Sequence, residues 1–194
     1  MPNWCSTTYK CVGDLKEARS LHNILKKMSR RKNPKIRNGF GPMWLGELVN
    51  ELGYDWEKYR CRGEITGFEL EDGILTISQE TAWCEQEGVR MAIEQKYPSI
   101  KVYVLCEEPG CEVYWTNDME ESYFPDNYFL DSYDDPMYFE TIEEAAKYVG
   151  RLVGHEVELS VSAIERALEE YAEVRQENDE DVFYSFHQFT RSEN

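Results

Sequence analysis

Positive charge is what this chain most lacks. Twenty-one Lys and Arg stand against thirty-eight Asp and Glu, a formal net charge of −17 over 194 residues. A general nucleic-acid binder needs clustered Lys and Arg against phosphates, so this balance argues against one and favours solubility and a basic partner. Long apolar runs are also missing. No stretch approaches the ~18 residues a membrane span requires, so no membrane association is expected. The N-terminus lacks the basic patch and apolar stretch of a secretory signal, and the expected location is cytoplasmic. Six cysteines would permit three disulfides in a secreted chain. In a reducing compartment, and at a length that needs no staples, free thiols are the better reading. There is no CxxC, and His22, His155 and His187 fall in no ligand spacing. GxSxG, P-loop and GxGxxG motifs are absent. No metal, cofactor or catalytic residue is assigned.

What is present suits a packed core. Apolar residues make up 41% and aromatics 13%, and a chain of this size buries roughly 70% of its unfolded surface. Trp4 to Gly13 alternates and reads as a strand. Asp14 and Glu17 form a capping-box pattern for a helix whose stripe is Leu15, Ala18, Leu21, Leu25 and Met28. After a basic stretch and the Gly/Pro cluster at 38–42, Leu45, Leu48, Val49 and Leu52 predict a short helix that ends at Gly53. Glu64 to Leu70 and Ile74 to Thr81 are strands around Asp72-Gly73, a hairpin signal. A helix is predicted over Cys84 to Lys96, then strands over Ile100 to Cys106 and Cys111 to Thr116. Further strands are read at Tyr128 to Ser132 and Tyr138 to Glu140. Capping boxes at Thr141/Glu144 and Ser162/Glu165 open two more helices. The aromatic stretch Val182 to Phe189 is read as docking back on the body.

Without the insert and the last strand, the first 116 residues read βαββαβ. The expected fold class is α+β, a ferredoxin-like sandwich with an antiparallel sheet, a helical insert at about 40–55 and a helical C-terminal extension. The expected organisation is a core over 1–139, which includes an acidic aromatic segment at 107–139, and an extension over 140–194 packed on it.

Met1-Pro2-Asn3-Trp4-Cys5, the Gly13-Asp14 that ends the first strand, Thr81-Ala82-Trp83 and Lys96-Tyr97-Pro98 together resemble the YubB-like proteins. These carry a ferredoxin-like domain and occur on bacterial plasmids, phages and integrated elements. The resemblance covers roughly residues 1–30 and 64–116. Members commonly carry an Asn shortly after the Cys, where this chain has Ser6-Thr7-Thr8. Many have a Pro-rich turn after the Thr-Ala-Trp, where this chain has Cys84-Glu85-Gln86-Glu87. The resemblance implies fold and mobile-element context, and brings no catalytic residue.

Two charged features stand out. Lys26, Lys27, Arg30, Arg31, Lys32, Lys35 and Arg37 place seven cations in twelve residues, which suits an anionic ligand or nucleic-acid backbone. The plainer reading is a solvated helix end paired with the acidic body. Conversely, Glu107 to Glu144 holds thirteen acids and no Lys or Arg, interleaved with aromatics. Acids spaced on an aromatic scaffold can imitate a phosphate backbone. The proposed binding surface is Glu120, Glu121, Asp126, Asp131, Asp134 and Asp135 with Tyr123 and Tyr133. The plainer reading is half-buried strands with aromatics inward and acids outward.

Among the cysteines, Cys106 and Cys111 flank a four-residue turn and could face each other, although reduced thiols are favoured. Cys5 beside Cys106 or Cys111 across a sheet could build a zinc site, but no CxxC and no clustered His supports one. Three functions follow: a non-enzymatic accessory protein that binds a basic protein through the acidic surface, a hydrolase or transferase with a cleft near Trp83 and Cys84, and a nucleic-acid binder using the 26–37 segment.

Overall fold

Period-two burial organises the first part of the chain. Along β1 (Trp4–Val12), Cys5, Thr7, Tyr9 and Cys11 are buried while Trp4 and Ser6 are open, as a half-buried strand dictates. The computed structural model describes residues 3–133, 136–177 and 181–192; Met1 and Pro2 of the opening motif lie outside the described residues. The chain divides into two compact units, Met1–Asp118 with Ser192–Asn194, and Met119–Arg191. It is a mixed α+β protein with mostly antiparallel pairing.

In the first unit β1 leads into α1 (Leu15–Ser29), α2 (Leu45–Glu51) and a 3₁₀ turn at Trp56–Lys58. The hairpin of β2 (Gly63–Glu71) and β3 (Ile74–Ala82) follows, then α3 (Glu87–Lys96), β4 (Lys101–Glu108) and β5 (Val113–Thr116). The strands are ordered β2-β3-β1-β4-β5, and each of these neighbours pairs antiparallel. Leu21, Leu25 and Met28 of α1 and Val89, Ala92 and Ile93 of α3 bury against Leu75, Ile77, Val102 and Val104 of the sheet. Each of these Leu, Val, Ile and Met side chains contributes about 1.5–3 kcal/mol by leaving water. Leu45, Leu48 and Val49 bring the insert helix into the same core. The β2–β3 turn is tight because Asp72 and Gly73 both adopt positive φ, 49° and 85°, the conformation such hairpins need.

Three details depart from the sequence expectation. The first capping box is half made: Asp14 Oδ1 accepts from Lys16 and Glu17 N–H, but Glu17 Oε2 accepts from Ser99 N–H and hydroxyl. Ser99, brought in by the α3–β4 turn, displaces the local partner. α3 begins at Glu87 rather than Cys84, because Trp83 takes φ 73° and residues 84–86 form a turn. The second unit's longer helix, α5 (Val161–Glu177), is capped by Ser160, not Ser162; Ser160 Oγ accepts from Ala163 N–H.

The second unit contains β6 (Tyr128–Ser132), β7 (Met137–Phe139), α4 (Ile142–Val153), α5 and β8 (Tyr184–Gln188). Its sheet runs β7-β6-β8, antiparallel throughout. The region expected as a helical extension therefore also holds a strand. Ala145, Ala146 and Val149 of α4 and Ile164, Ala167 and Leu168 of α5 close a core with Leu130, Phe139 and Phe186. Thr141 caps α4 by accepting from Glu144 N–H, and Gly154 ends it at φ 85°.

Candidate functional site

The insert builds an aromatic cleft at the end of the first unit's sheet where β1 starts and β3 finishes. It has a volume of about 420 Å³. Trp4, Phe40, Trp44, Trp56 and Tyr59 form its walls, with Arg60 and Arg62 beside them. Cys61, Gly63 and Ala82 complete the lining. Trp44 anchors the arrangement. Its indole N–H donates to the Cys61 carbonyl at 2.6 Å, and its ring stacks on Phe40 at 5.1 Å and meets Trp56 edge-on at 5.0 Å. Gly46 makes room for that ring, since a Cβ there would lie 2.2 Å from it. Trp4 and Phe40 remain 53% and 57% exposed, so two of the aromatic walls face water. Arg60 and Arg62 are exposed, and among the described residues neither makes an ion pair.

Gln86, almost fully buried, fixes the cleft's edge. Its Oε1 accepts from Arg62 N–H at 3.0 Å, and its Nε2 donates to the carbonyls of Cys84 and Ala82 at 3.0 and 3.4 Å. One side chain thus ties Arg62, just before β2, to the segment after β3. In the same segment Glu85 Oε1 accepts from Tyr9 hydroxyl at 2.9 Å and from Arg90 Nε at 2.8 Å. Burial raises the Glu85 carboxyl above its ordinary range, with Arg90 and Tyr9 pulling the other way. Trp83 and Cys84, around which an enzyme cleft was expected, do not line this one, although their neighbour Ala82 does.

On the helix-covered face at the same end of the sheet lies a buried polar cluster. Cys5 Sγ sits 2.8 Å from Cys106 Sγ and 3.6 Å from Thr7 Oγ1, and Thr7 and Thr81 hydroxyls are 2.9 Å apart. The contact with Cys106 lowers the Cys5 thiol to about 7 against the opposing effect of burial. The same contact, together with burial, raises Cys106. Gln79, opposite Thr7, is 3% exposed, and among the described residues both its amide atoms lack a hydrogen-bond partner. Cys111, by contrast, is exposed and accepts from Asn3 Nδ2 at 3.3 Å. Cys106 thus faces Cys5 across β1 and β4. Among the described residues no group of three or more His, Cys, Asp or Glu could hold a metal ion.

The basic segment is partly consumed internally. Arg31 lies 2.7 Å from Glu51 and 3.6 Å from buried Glu47, and Lys35 bonds Glu51 at 2.5 Å. Lys26, Lys27, Arg30, Lys32 and Arg37 stay exposed, the first two in the last turn of α1. The acidic residues are scattered. Glu120 is exposed, and Glu121 is exposed at 3.5 Å from Arg191. Asp126 is half-buried, with its carbonyl accepting from Arg191. Asp131 sits half-buried on β6 and Tyr123 is half-buried. Tyr133 is 69% exposed, beside Phe183 at 5.6 Å. Asp134 and Asp135 lie outside the described residues.

By unit, the charge divides sharply. The first holds sixteen Lys and Arg against nineteen Asp and Glu, the second five against nineteen. Fourteen of the seventeen net negative charges therefore lie within Met119–Arg191. The sequence reading passed over Arg60 and Arg62. The signal for them was Trp56, Tyr59, Arg60 and Arg62 in close succession, aromatics interleaved with arginines. It also passed over an acidic row on α5, Glu165, Glu169, Glu173 and Glu177, all exposed at i,i+4 spacing.

Comparison of the chain with protein-family models, with curated proteins and with solved structures gives no match.

Proposed function

We propose that the protein acts by binding, and that the aromatic–arginine cleft of its first unit takes a nucleotide, free or at the end of a single strand. The observation that carries this reading is the co-location of five aromatic side chains and two arginines in one cleft of about 420 Å³. That volume falls in the range of small-molecule sites. A planar base gains about 1–3 kcal/mol by stacking on an aromatic ring. A guanidinium fork suits phosphate oxygens in a bidentate pair. A strand order of β2-β3-β1-β4 with both long helices in one core is in keeping with a ferredoxin-like fold. It also accords with the resemblance to the YubB-like proteins.

Tryptophan quenching tests the reading. The titrants are a nucleoside monophosphate, a short single-stranded oligonucleotide, the free nucleoside and inorganic phosphate. The first two should bind, and Phe40→Ala and Arg62→Glu should each weaken them about tenfold or more. Binding of phosphate alone, or binding indifferent to both substitutions, would remove the cleft from consideration. Capture of a proline-rich peptide instead would reassign the aromatic wall.

A second reading rests on the charge division. The second unit, with nineteen acids against five cations, suits a protein partner with a basic surface. In the mobile-element context the resemblance implies, such a partner would be a host nucleic-acid-binding protein in the cytoplasm. Salt-sensitive capture from bacterial lysate is expected. If charge reversal of Glu120, Glu121, Glu169 and Glu173 left every partner in place, this reading would fail.

A further inference from the structure

Cys5 and Cys106 bring two thiols into contact in the first unit, and nothing in the binding reading uses them. The two belong to neighbouring strands, with Thr7 opposite Cys106 in the β1–β4 register and Cys5 two residues before it. Both are buried and both are free thiols. Their sulfurs are 2.8 Å apart, and a disulfide requires about 2.05 Å, so a shift of under about 1 Å joins them. The other cysteines are less suited. Cys11 is buried six residues further along the same face, Cys61 lines the aromatic cleft, and exposed Cys111 contacts Asn3.

We propose that Cys5 and Cys106 are a modification site at which hydrogen peroxide makes an intramolecular cross-strand disulfide. Cys5, as thiolate, attacks one peroxide oxygen. The S–O bond forms, the O–O bond breaks, and the leaving hydroxide takes up a proton to become water. Cys106 then attacks the Cys5 sulfur of that sulfenic acid. The S–S bond forms, the S–O bond breaks, and a second water leaves with the Cys106 proton. Two thiols lose two electrons, and one peroxide gains them. Thr7 and Thr81 hydroxyls, placed against Cys5 and against each other, supply the polar surroundings that an anionic sulfur needs in a buried position. The contact of the two sulfurs favours the Cys5 thiolate and disfavours that of Cys106, which gives the pair an attacking and a resolving member. The consequence is a covalent staple between β1 and β4, one residue from the Trp4 wall of the cleft.

The test uses the full-length wild-type protein. It is exposed to hydrogen peroxide under native conditions, then alkylated in denaturant and mapped by mass spectrometry. The expected result is a loss of about 2 Da, no alkylation at Cys5 and Cys106, and a linked peptide pair that dithiothreitol separates. A Cys84→Ser/Cys111→Ser double variant should behave identically. Three results would overturn the proposal: both thiols alkylated after treatment, Cys5 carried on to sulfinic acid without a link, or a link from Cys106 to Cys111. In the linked protein the tryptophan-reported unfolding midpoint should rise. An unchanged or lowered midpoint would show that the native geometry does not accommodate the bond and would equally overturn it.

Discussion

The two units use the same vocabulary of antiparallel sheet and amphipathic helix, yet hold opposite chemistry. The first is close to charge balance and contains all five tryptophans; the second carries most of the negative charge and no tryptophan. Neither core demands this. Leu, Val, Ile and Ala are common to both, so the difference in charge lies in what stands on the surfaces. In the first unit acids are spent on internal clamps, with Glu47 and Glu51 gripping Arg31 and Lys35, and Glu85 gripping Arg90. In the second, acids such as Glu165, Glu169, Glu173 and Glu177 of α5 stand exposed in a row. Like charges at that spacing each cost a few tenths of a kcal/mol. A surface that tolerates such repulsion is what a basic partner would relieve, whereas the first unit's cations are available where its aromatics are.

The tryptophan distribution makes the comparison directly measurable, because tryptophan fluorescence reports the first unit alone. The largest effect is expected from Ile164→Ala, which empties a fully buried position in the second core. It should cost about 2–5 kcal/mol in the transition followed by tyrosine signal or circular dichroism. The tryptophan-detected midpoint should stay put. A matching shift in both signals would mean that the two units unfold as one.

Acid should act on the first unit through Glu51. Burial pushes its carboxyl up, but bonds and charge from Lys35 and Arg31 outweigh this and hold it below its ordinary value of 4.5. The stability it contributes is therefore complete above that value and lost as the pH falls through the lowered folded one. Glu51→Gln should cost about 1–2 kcal/mol at neutral pH. It should also flatten the acid-side loss in denaturation series run between neutral and pH 3. Parallel curves for variant and wild type would show that the clamp contributes nothing.

The smallest effect is predicted for Glu169→Lys. It replaces two like-charge contacts on α5, with Glu165 and Glu173, by opposite ones. The second unit should gain about 0.5–1 kcal/mol at low salt, fading as salt rises. No gain at low salt would mean that the acidic row is already relieved within the chain.

Much of the fold could be read from local pattern. Asp72-Gly73 between alternating runs gave the hairpin, the stripe from Ala18 to Met28 gave α1, and Thr141 with Glu144 gave the start of α4. Where a distant residue supplied the partner, local pattern misled. Ser99 took the Glu17 carboxylate, and Gln86 with Trp83 held residues 84–86 out of α3. The candidate site was less legible. Its walls come from Trp4, the insert and the end of β3, which lie far apart in sequence. Charge counting drew attention to Lys26–Arg37, where two cations serve α2, and away from Arg60 and Arg62.

Sequence alone determined most element types and the net charge, because hydrophobic periodicity and ionisable groups are properties of each segment; β8, inside the expected helical extension, was not among them. Tertiary structure decided which groups meet. β1 pairs with β3 on one side and β4 on the other, and these non-local registers place Cys5 against Cys106, Thr7 against Thr81 and Trp4 beside Ala82. A one-residue slip of β4 against β1 would turn Cys106 to the face opposite Cys5, and one of β3 would do the same to Thr81 and Ala82. The cleft, the thiol pair and the polar cluster are therefore consequences of packing between segments, which no single segment contains.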